Sequence, residues 1–282
     1  MKRRKPDDES TDTSPSKKIK AIGKQEMEYM RKTKPKQHND SNNEDEAYLA
    51  THIVCKLETH EAEDWKSPEG ALRWLLQSPL TNKDLTVEKF NKEFLHVKPL
   101  YISRENATYY EELGFSFDNL CQISDKHTFY LGEHIMCKKY DKDSHLELSP
   151  FVANENGEEA LDELSGQKLK KLLREEGYTI QMHHLQHYNT AIHELLYQLE
   201  CYYKVLFGSN VYITKRGTQG LAPHFDDVDV FVLQLEGEKK WHLLQLPPSQ
   251  ANPIRSSENL NLDEIGATKL MECVLKPGDL LC

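Results

Sequence analysis

Long apolar runs are missing from this chain of 282 residues. Nowhere do the ~18–20 successive apolar residues of a membrane-spanning helix occur. The first residues lack the apolar core of a secretory signal, so neither a membrane protein nor a secreted one is expected. Paired cysteines are missing too: Cys55, Cys121, Cys137, Cys201, Cys273 and Cys282 are scattered, with no Cys-x-x-Cys. That argues against a zinc ribbon, a thioredoxin-like site or a disulfide scaffold, and it reads as reduced intracellular thiols. There is no phosphate-binding glycine loop and no Gly-x-Ser-x-Gly elbow, and Asp141, Asp143 and Glu147 lack the glycine and terminal Glu of a calcium loop. Positive charge is scarce outside the first 37 residues. These hold 12 Lys/Arg against 6 Asp/Glu, whereas the chain as a whole carries −10, which leaves −16 on the rest. An acidic body argues against sequence-specific nucleic-acid binding, which needs a basic face, and suits a basic partner.

What is present falls into three parts. Residues 1–48 are rich in Lys, Asp, Ser, Asn and Pro, a composition that cannot bury enough surface to offset chain entropy, and they read as a disordered basic tail. Lys2-Arg3-Arg4-Lys5 and Lys17-Lys18-Ile19-Lys20 have the form of a bipartite nuclear-import signal. Residues 49–183 read as an N-terminal α/β part. Ser67-Pro68-Glu69 starts a helix, and Thr86–Leu95 repeats that logic with Val87, Phe90 and Phe94 on one face. Lys98–Ile102 is extended, Leu161–Glu176 is an amphipathic helix ended by Gly177, and Tyr178–Met182 alternates as a strand. In residues 184–282, a helix over Ile192–Leu206 closed by Gly208 precedes a change to β periodicity. Strands are expected at Asn210–Thr214, at Val228–Leu235 (buried on both faces) and, after a Glu236-Gly237-Glu238 hairpin turn, at Lys239–Gln245. Val274–Leu281 reads as strand, turn, strand. Four or five strands after a helical half point to an α+β fold: helices packed on a double-sheet jelly roll, here incomplete because a full one needs eight strands.

His224-Phe225-Asp226 is the leading chemical candidate. On a strand, residues i and i+2 share a face, so an imidazole and a carboxylate would converge. Two His and one carboxylate make the facial site of non-heme Fe(II) oxygenases. The pair alone is weak: about one His-x-Asp is expected by chance, and the tail supplies His38-Asn39-Asp40, while His145-Leu146-Glu147 is a near match. Lys239 adds context, because a lysine facing the interior needs an anion and suits the far carboxylate of a dicarboxylate. Whether Lys239 or Lys240 points inward is undecided by the pattern. Mn or Zn fit similar ligands. His183, His184 and His187 cluster, but neighbours on a strand face opposite ways, so a loop or exposed strand is expected there rather than a metal site.

Four ordered motifs then carry a resemblance: Ser209–Thr214, Gly220-Leu-Ala-Pro-His-Phe-Asp-Asp-Val228, Leu235-Glu-Gly-Glu-Lys239 and Leu275-Lys-Pro-Gly-Asp-Leu280. With the segment from Phe90 through Lys98-Pro99-Leu100 to Arg104, they resemble the JmjC-type ribosomal oxygenases, also named bifunctional lysine-specific demethylase and histidyl-hydroxylase proteins. The resemblance covers roughly residues 65–282. It implies a double-stranded β-helix (cupin-like) fold with the JmjC domain at 184–282. It makes His224 and Asp226 ligands of Fe(II), and Lys239 the partner of the distal carboxylate of 2-oxoglutarate. Asn210 and Tyr212 line the pocket, Asn210 beside both co-substrate and target and Tyr212 beside the target. It implies hydroxylation of a histidine in a large-subunit ribosomal protein, with histone lysine demethylation also ascribed to the family. A nuclear, often nucleolar, setting follows, with ribosome biogenesis and chromatin and transcription regulation as contexts, and a homodimer in full-length members. In the family a third iron ligand, a His on a later strand, follows Pro-Gly-Asp-Leu-Leu within a dozen residues, a position beyond Cys282. His242 has the wrong parity to replace it if Lys239 points inward. The alternatives are therefore a catalytically inactive JmjC-like binding module and a truncated product.

Overall fold

Burial against solvent sorts the elements. The computed structural model describes residues 51–55, 65–76, 85–150, 162–247 and 255–282; the basic tail and its two Lys/Arg clusters lie outside these. Strand β1 (Thr51–Cys55) pairs in parallel with β2 (Leu100–Arg104). Between them, helices α1 (Pro68–Leu76) and α2 (Val87–Glu93) begin at the expected caps: Ser67 Oγ accepts the Gly70 N–H and Thr86 Oγ1 that of Lys89. Those bonds satisfy amides that a helix start leaves without partners. Helix α3 (Phe117–Lys126) follows, then strands β3 (Ile135–Asp141) and β4 (Leu146–Leu148), helix α4 (Gly166–Arg174) and strand β5 (Thr179–His183). Helix α5 (Thr190–Tyr203) leads to β6 (Asn210–Ile213), β7 (Val232–Leu233), β8 (Lys239–Gln245), a short α6 (Leu262–Ile265), β9 (Thr268–Leu275) and β10 (Leu280–Leu281).

The strands form sheets ordered β1-β2-β10-β7 and β4-β3-β5-β6, with β8 and β9 as a third, two-stranded pair; all pairings except β1–β2 are antiparallel. The α+β expectation holds. The main core joins α1, α5 and the inner faces of the two larger sheets around Leu72, Phe90, Leu100, Ile102, Phe129, Ile135 and Ile180, all at most 2% exposed. A smaller core gathers Tyr101, Cys273, Leu275 and Leu281 under β8 and β9. Cys121, Cys137, Cys201, Cys273 and Cys282 are free thiols, and among the described residues no helix is long and apolar enough to cross a membrane.

Several boundaries differ from the sequence reading, each for a local reason. The helix expected over 161–176 starts at Gly166, because Ser165 Oγ caps it at Lys168 N–H and Asp125 takes the Gly166 N–H. Gly166 is required there: a Cβ would lie 2.7 Å from the Cys121 carbonyl of α3. Helix α5 stops at Tyr203 rather than Leu206. Lys204 turns left-handed at φ 58°, and Glu200 Oε1 captures the Phe207 N–H. Leu206, placed in the apolar stripe by periodicity, is 87% exposed. The strand expected over 228–235 shrinks to β7. Val228 and Val230 are exposed, because Asp229 bonds to His96 at 2.6 Å and holds that stretch away from the sheet. Glu236–Glu238 turns the chain, but not as a hairpin: β7 pairs with β10 while β8 pairs with β9. Five strands, β6 to β10, follow helix α5, in line with the four or five expected after the helical half, and five more precede it among the described residues. The charged β3 and β4 escape notice as strands because Lys138, Lys139 and Asp141 interrupt their alternation.

The turn before β10 is fastened by buried polar groups. Asp279 is 1% exposed and accepts three bonds: from the Arg104 N–H (2.7 Å), the Tyr101 hydroxyl (2.9 Å) and the Lys276 N–H (2.9 Å). The Arg104 guanidinium donates to the Tyr110 hydroxyl, the Gly278 carbonyl and the Leu75 carbonyl, and stacks 4.1 Å from the Tyr109 ring centre. Burial pushes the Tyr101 and Tyr110 hydroxyls up to about 12.

Candidate active site

Alternation along β5 and β6 builds the site. Ile180 and Met182 face the core, so Gln181 and His183 face the opposite side. Antiparallel register sets Tyr212 beside Gln181 and Asn210 beside His183. The cross-strand pairs are joined: Gln181 Nε2 donates to the Tyr212 hydroxyl at 3.1 Å, and His183 Nδ1 and Asn210 Oδ1 are 3.1 Å apart. The result is one polar sheet face. Asn210 and Tyr212 both lie on it. Gln181 and His183 were not anticipated there, although strand alternation through Tyr178–Met182 already put Gln181 on one face.

Lys239 opens β8 and reaches this face. Its Nζ lies 5.8 Å from the Tyr212 ring centre and 5.3 Å from that of Trp241. Burial lowers its pKa below that of an ordinary lysine. Among the described residues no carboxylate pairs with it. Lys240, by contrast, is exposed and bonds Glu272 at 2.5 Å, and His242 lies on that same outward side, 3.5 Å from Glu272. The structure thus settles the parity that the sequence left open, and His242 has the opposite parity to Lys239. A second donor accompanies Lys239: the Trp241 indole Nε1 is buried and has no hydrogen-bond partner among the described residues. A partly buried ammonium and a buried N–H without acceptors are costly unless an anion arrives.

His224 and Asp226 do not lie on a strand. They occupy an irregular segment from Gly220 to Asp227, outside every ladder, and both are exposed. The segment is held by bonds of another kind. Gly220 packs so closely on Thr179 that a Cβ would lie 2.0 Å from Thr179 Oγ1. Phe225 exchanges bonds with Ser257, its N–H to Oγ at 3.0 Å and its carbonyl from the Ser257 N–H at 2.9 Å. Asp227 is tied to Ser256 through its N–H and Oδ1. His224 Nδ1 lies 2.8 Å from the Ala222 carbonyl. A carbonyl only accepts, so Nδ1 carries the proton and Nε2 keeps the lone pair, the tautomer of a cation-ligating histidine. Asp226 is close enough to Tyr212 for its charge to act with burial in raising that hydroxyl's pKa. Tyr212 therefore connects Asp226, Lys239 and Gln181. The donor chemistry fits a hard or borderline cation at His224 and Asp226 and a carboxylate at Lys239. Among the described residues no group of three His, Cys, Asp or Glu gathers, at these ligands or in the His183–His187 cluster.

Residues 181–282 match the JmjC domain family, so the mixed fold is that of a JmjC, cupin-like oxygenase. The chain is 36% identical over 200 residues to Ribosomal oxygenase 2 of Mus musculus, covering 70% of this chain and 40% of that protein. It is 32% identical over 198 residues to the Bifunctional lysine-specific demethylase and histidyl-hydroxylase NO66 of Dictyostelium discoideum, covering 69% and 36%, and 31% identical over 233 residues to the NO66 of Drosophila willistoni, covering 82% and 28%. The chain spans about two fifths or less of the length of these relatives. The chain carries a JmjC domain and is similar over most of its length to the JmjC-type ribosomal oxygenases.

Proposed function

We propose that this chain forms the catalytic region of an Fe(II)- and 2-oxoglutarate-dependent dioxygenase that hydroxylates a histidine of a large-subunit ribosomal protein, with histone lysine demethylation as a related activity. The observation that carries the reading is Lys239: a partly buried ammonium that pairs with no carboxylate among the described residues, beside an indole N–H that finds no acceptor among them. His224 Nε2 and Asp226 would hold the iron. Bound there with 2-oxoglutarate and dioxygen, the metal supplies the oxidising power that puts one oxygen atom into a C–H bond, the co-substrate leaving as succinate and carbon dioxide. The chain's own residues place the reactants. Lys239 and Trp241 Nε1 bind the distal carboxylate. Asn210 and Tyr212, braced by His183 and Gln181, orient the target side chain. An acidic body helps to draw in a basic substrate. The names of the relatives support both activities, and the basic clusters of the tail support action in the nucleus and nucleolus. We place the tail at 1–48, the N-terminal part at 49–183 and the JmjC domain at 184–282.

The test is succinate formation by the purified chain with Fe(II), dioxygen, 2-oxoglutarate and a histidine-bearing ribosomal peptide. Turnover that disappears in His224→Ala supports the enzyme. A second reading is a JmjC-like module that grips its partner without turnover: among the described residues no third His, Cys, Asp or Glu joins His224 and Asp226. Binding of 2-oxoglutarate or peptide without succinate would establish it instead.

A further inference from the structure

Glu147 stands out in the sequence as the acid of a His-x-Glu near match, and the proposed reaction makes no use of it. In the fold it lies against the backbone that carries His224. Its Oε1 accepts the Ala222 N–H at 2.8 Å and its Oε2 the Lys138 ammonium at 2.7 Å. The Glu147 side chain is 12% exposed and that of Lys138 28%. The carbonyl of Ala222 is the acceptor of His224 Nδ1. The Tyr140 N–H adds a bond to the Gln219 carbonyl at 3.2 Å, so β3 and β4 hold the approach to the ligand segment from one side while Ser256 and Ser257 hold its far part. An irregular segment has no ladder to satisfy its amides. A carboxylate acceptor makes a stronger bond than a neutral one, and Lys138 occupies the oxygen that Ala222 leaves.

We propose that the Glu147–Lys138 pair is a positioning device for His224: by fixing the amide of Ala222 it fixes the carbonyl that selects the Nδ1–H tautomer, leaving Nε2 to bind the cation. The inference rests on the reading of His224 as a metal ligand. It is tested on the full chain labelled with ¹⁵N, reading the imidazole shifts of His224 without metal, and, in parallel, Co(II) affinity by calorimetry. The wild type is expected to hold the proton on Nδ1. Glu147→Ala should mix the tautomers and weaken Co(II) binding about tenfold, at the lower end of what losing a ligand's supporting partner does. Glu147→Gln, which keeps an oxygen for Ala222 but loses the ion pair, should fall between. A single Nδ1–H tautomer and unchanged Co(II) affinity in Glu147→Ala would overturn the proposal. If that variant does not fold, the same unchanged result in Glu147→Gln and Lys138→Met overturns it. A wild type that binds Co(II) no tighter than His224→Ala overturns the ligand reading and this role with it. A tautomer that ignores Glu147 in a chain that does bind Co(II) overturns the positioning role alone.

Discussion

The turn at Asp279 and the corner at Lys239 both bury polar groups, and they do so in opposite ways. At the turn, the Asp279 carboxylate collects three donors, and the Arg104 guanidinium finds a hydroxyl and two carbonyls. At the corner, an ammonium meets aromatic faces and an indole N–H meets nothing. A satisfied buried network holds a fold together, whereas an unsatisfied one lowers stability until a ligand completes it. The first is therefore structural, and the second is the corner to which the proposed function assigns the co-substrate.

Breaking the structural member should have the largest effect. Asp279→Ala removes the carboxylate shared by the Arg104 N–H, the Lys276 N–H and the Tyr101 hydroxyl, and should cost about 3 kcal/mol. Urea unfolding reads this directly, and a loss below about 1 kcal/mol would remove the turn from one side of the comparison. The other side is sharpened by Lys239→Met. Removing a desolvated ammonium should raise the melting midpoint by about 2–4 °C, the shift that 1 kcal/mol gives a domain of this size. The same change should abolish stabilisation by 2-oxoglutarate, otherwise about 2.7 kcal/mol at a hundredfold excess over Kd. A variant that melts lower, or still responds to 2-oxoglutarate, breaks the contrast. The smallest effect belongs to the outward face of β8 and β9. There Lys240 and Lys269 hold the Glu272 carboxyl at about 2, below its ordinary 4.5. Its stabilisation is complete above the ordinary value and fades as pH falls through the window down to about 2. Glu272→Gln should flatten that acid limb slightly, and less at high salt, because the pairs are solvent-screened. Melting midpoints between about pH 5 and pH 3, with and without salt, check the sign.

Much of this was legible beforehand. The caps at Ser67 and Thr86 were visible because capping is local: a side-chain oxygen reaches an amide three residues away. The strands at Tyr178–Met182, Asn210–Thr214 and Lys239–Gln245 showed because each carries a period-2 pattern. Helix α5 ran on too far in the reading because periodicity cannot register a side chain such as Glu200 capturing the amide of Phe207. Strand β3 was lost because its lysines satisfy themselves at Glu147 and in solvent. The site divides in the same way. His224, Asp226, Lys239, Asn210 and Tyr212 stood out through motif and resemblance, while Gln181 and His183 did not, because their meaning lies in partners 31 and 27 residues away; Glu147 showed only as a near match, since its contact with Ala222 spans 75 residues.

The identity of the family, the α+β class and the candidate ligands follow from order along the chain, since motifs and short-range periods are properties of neighbours. Which lysine turns inward, which strand each turn joins, and what holds His224 in place follow from packing. Those depend on register between strands and on buried groups finding or lacking partners across the fold, and no window of the sequence contains both members of such a pair.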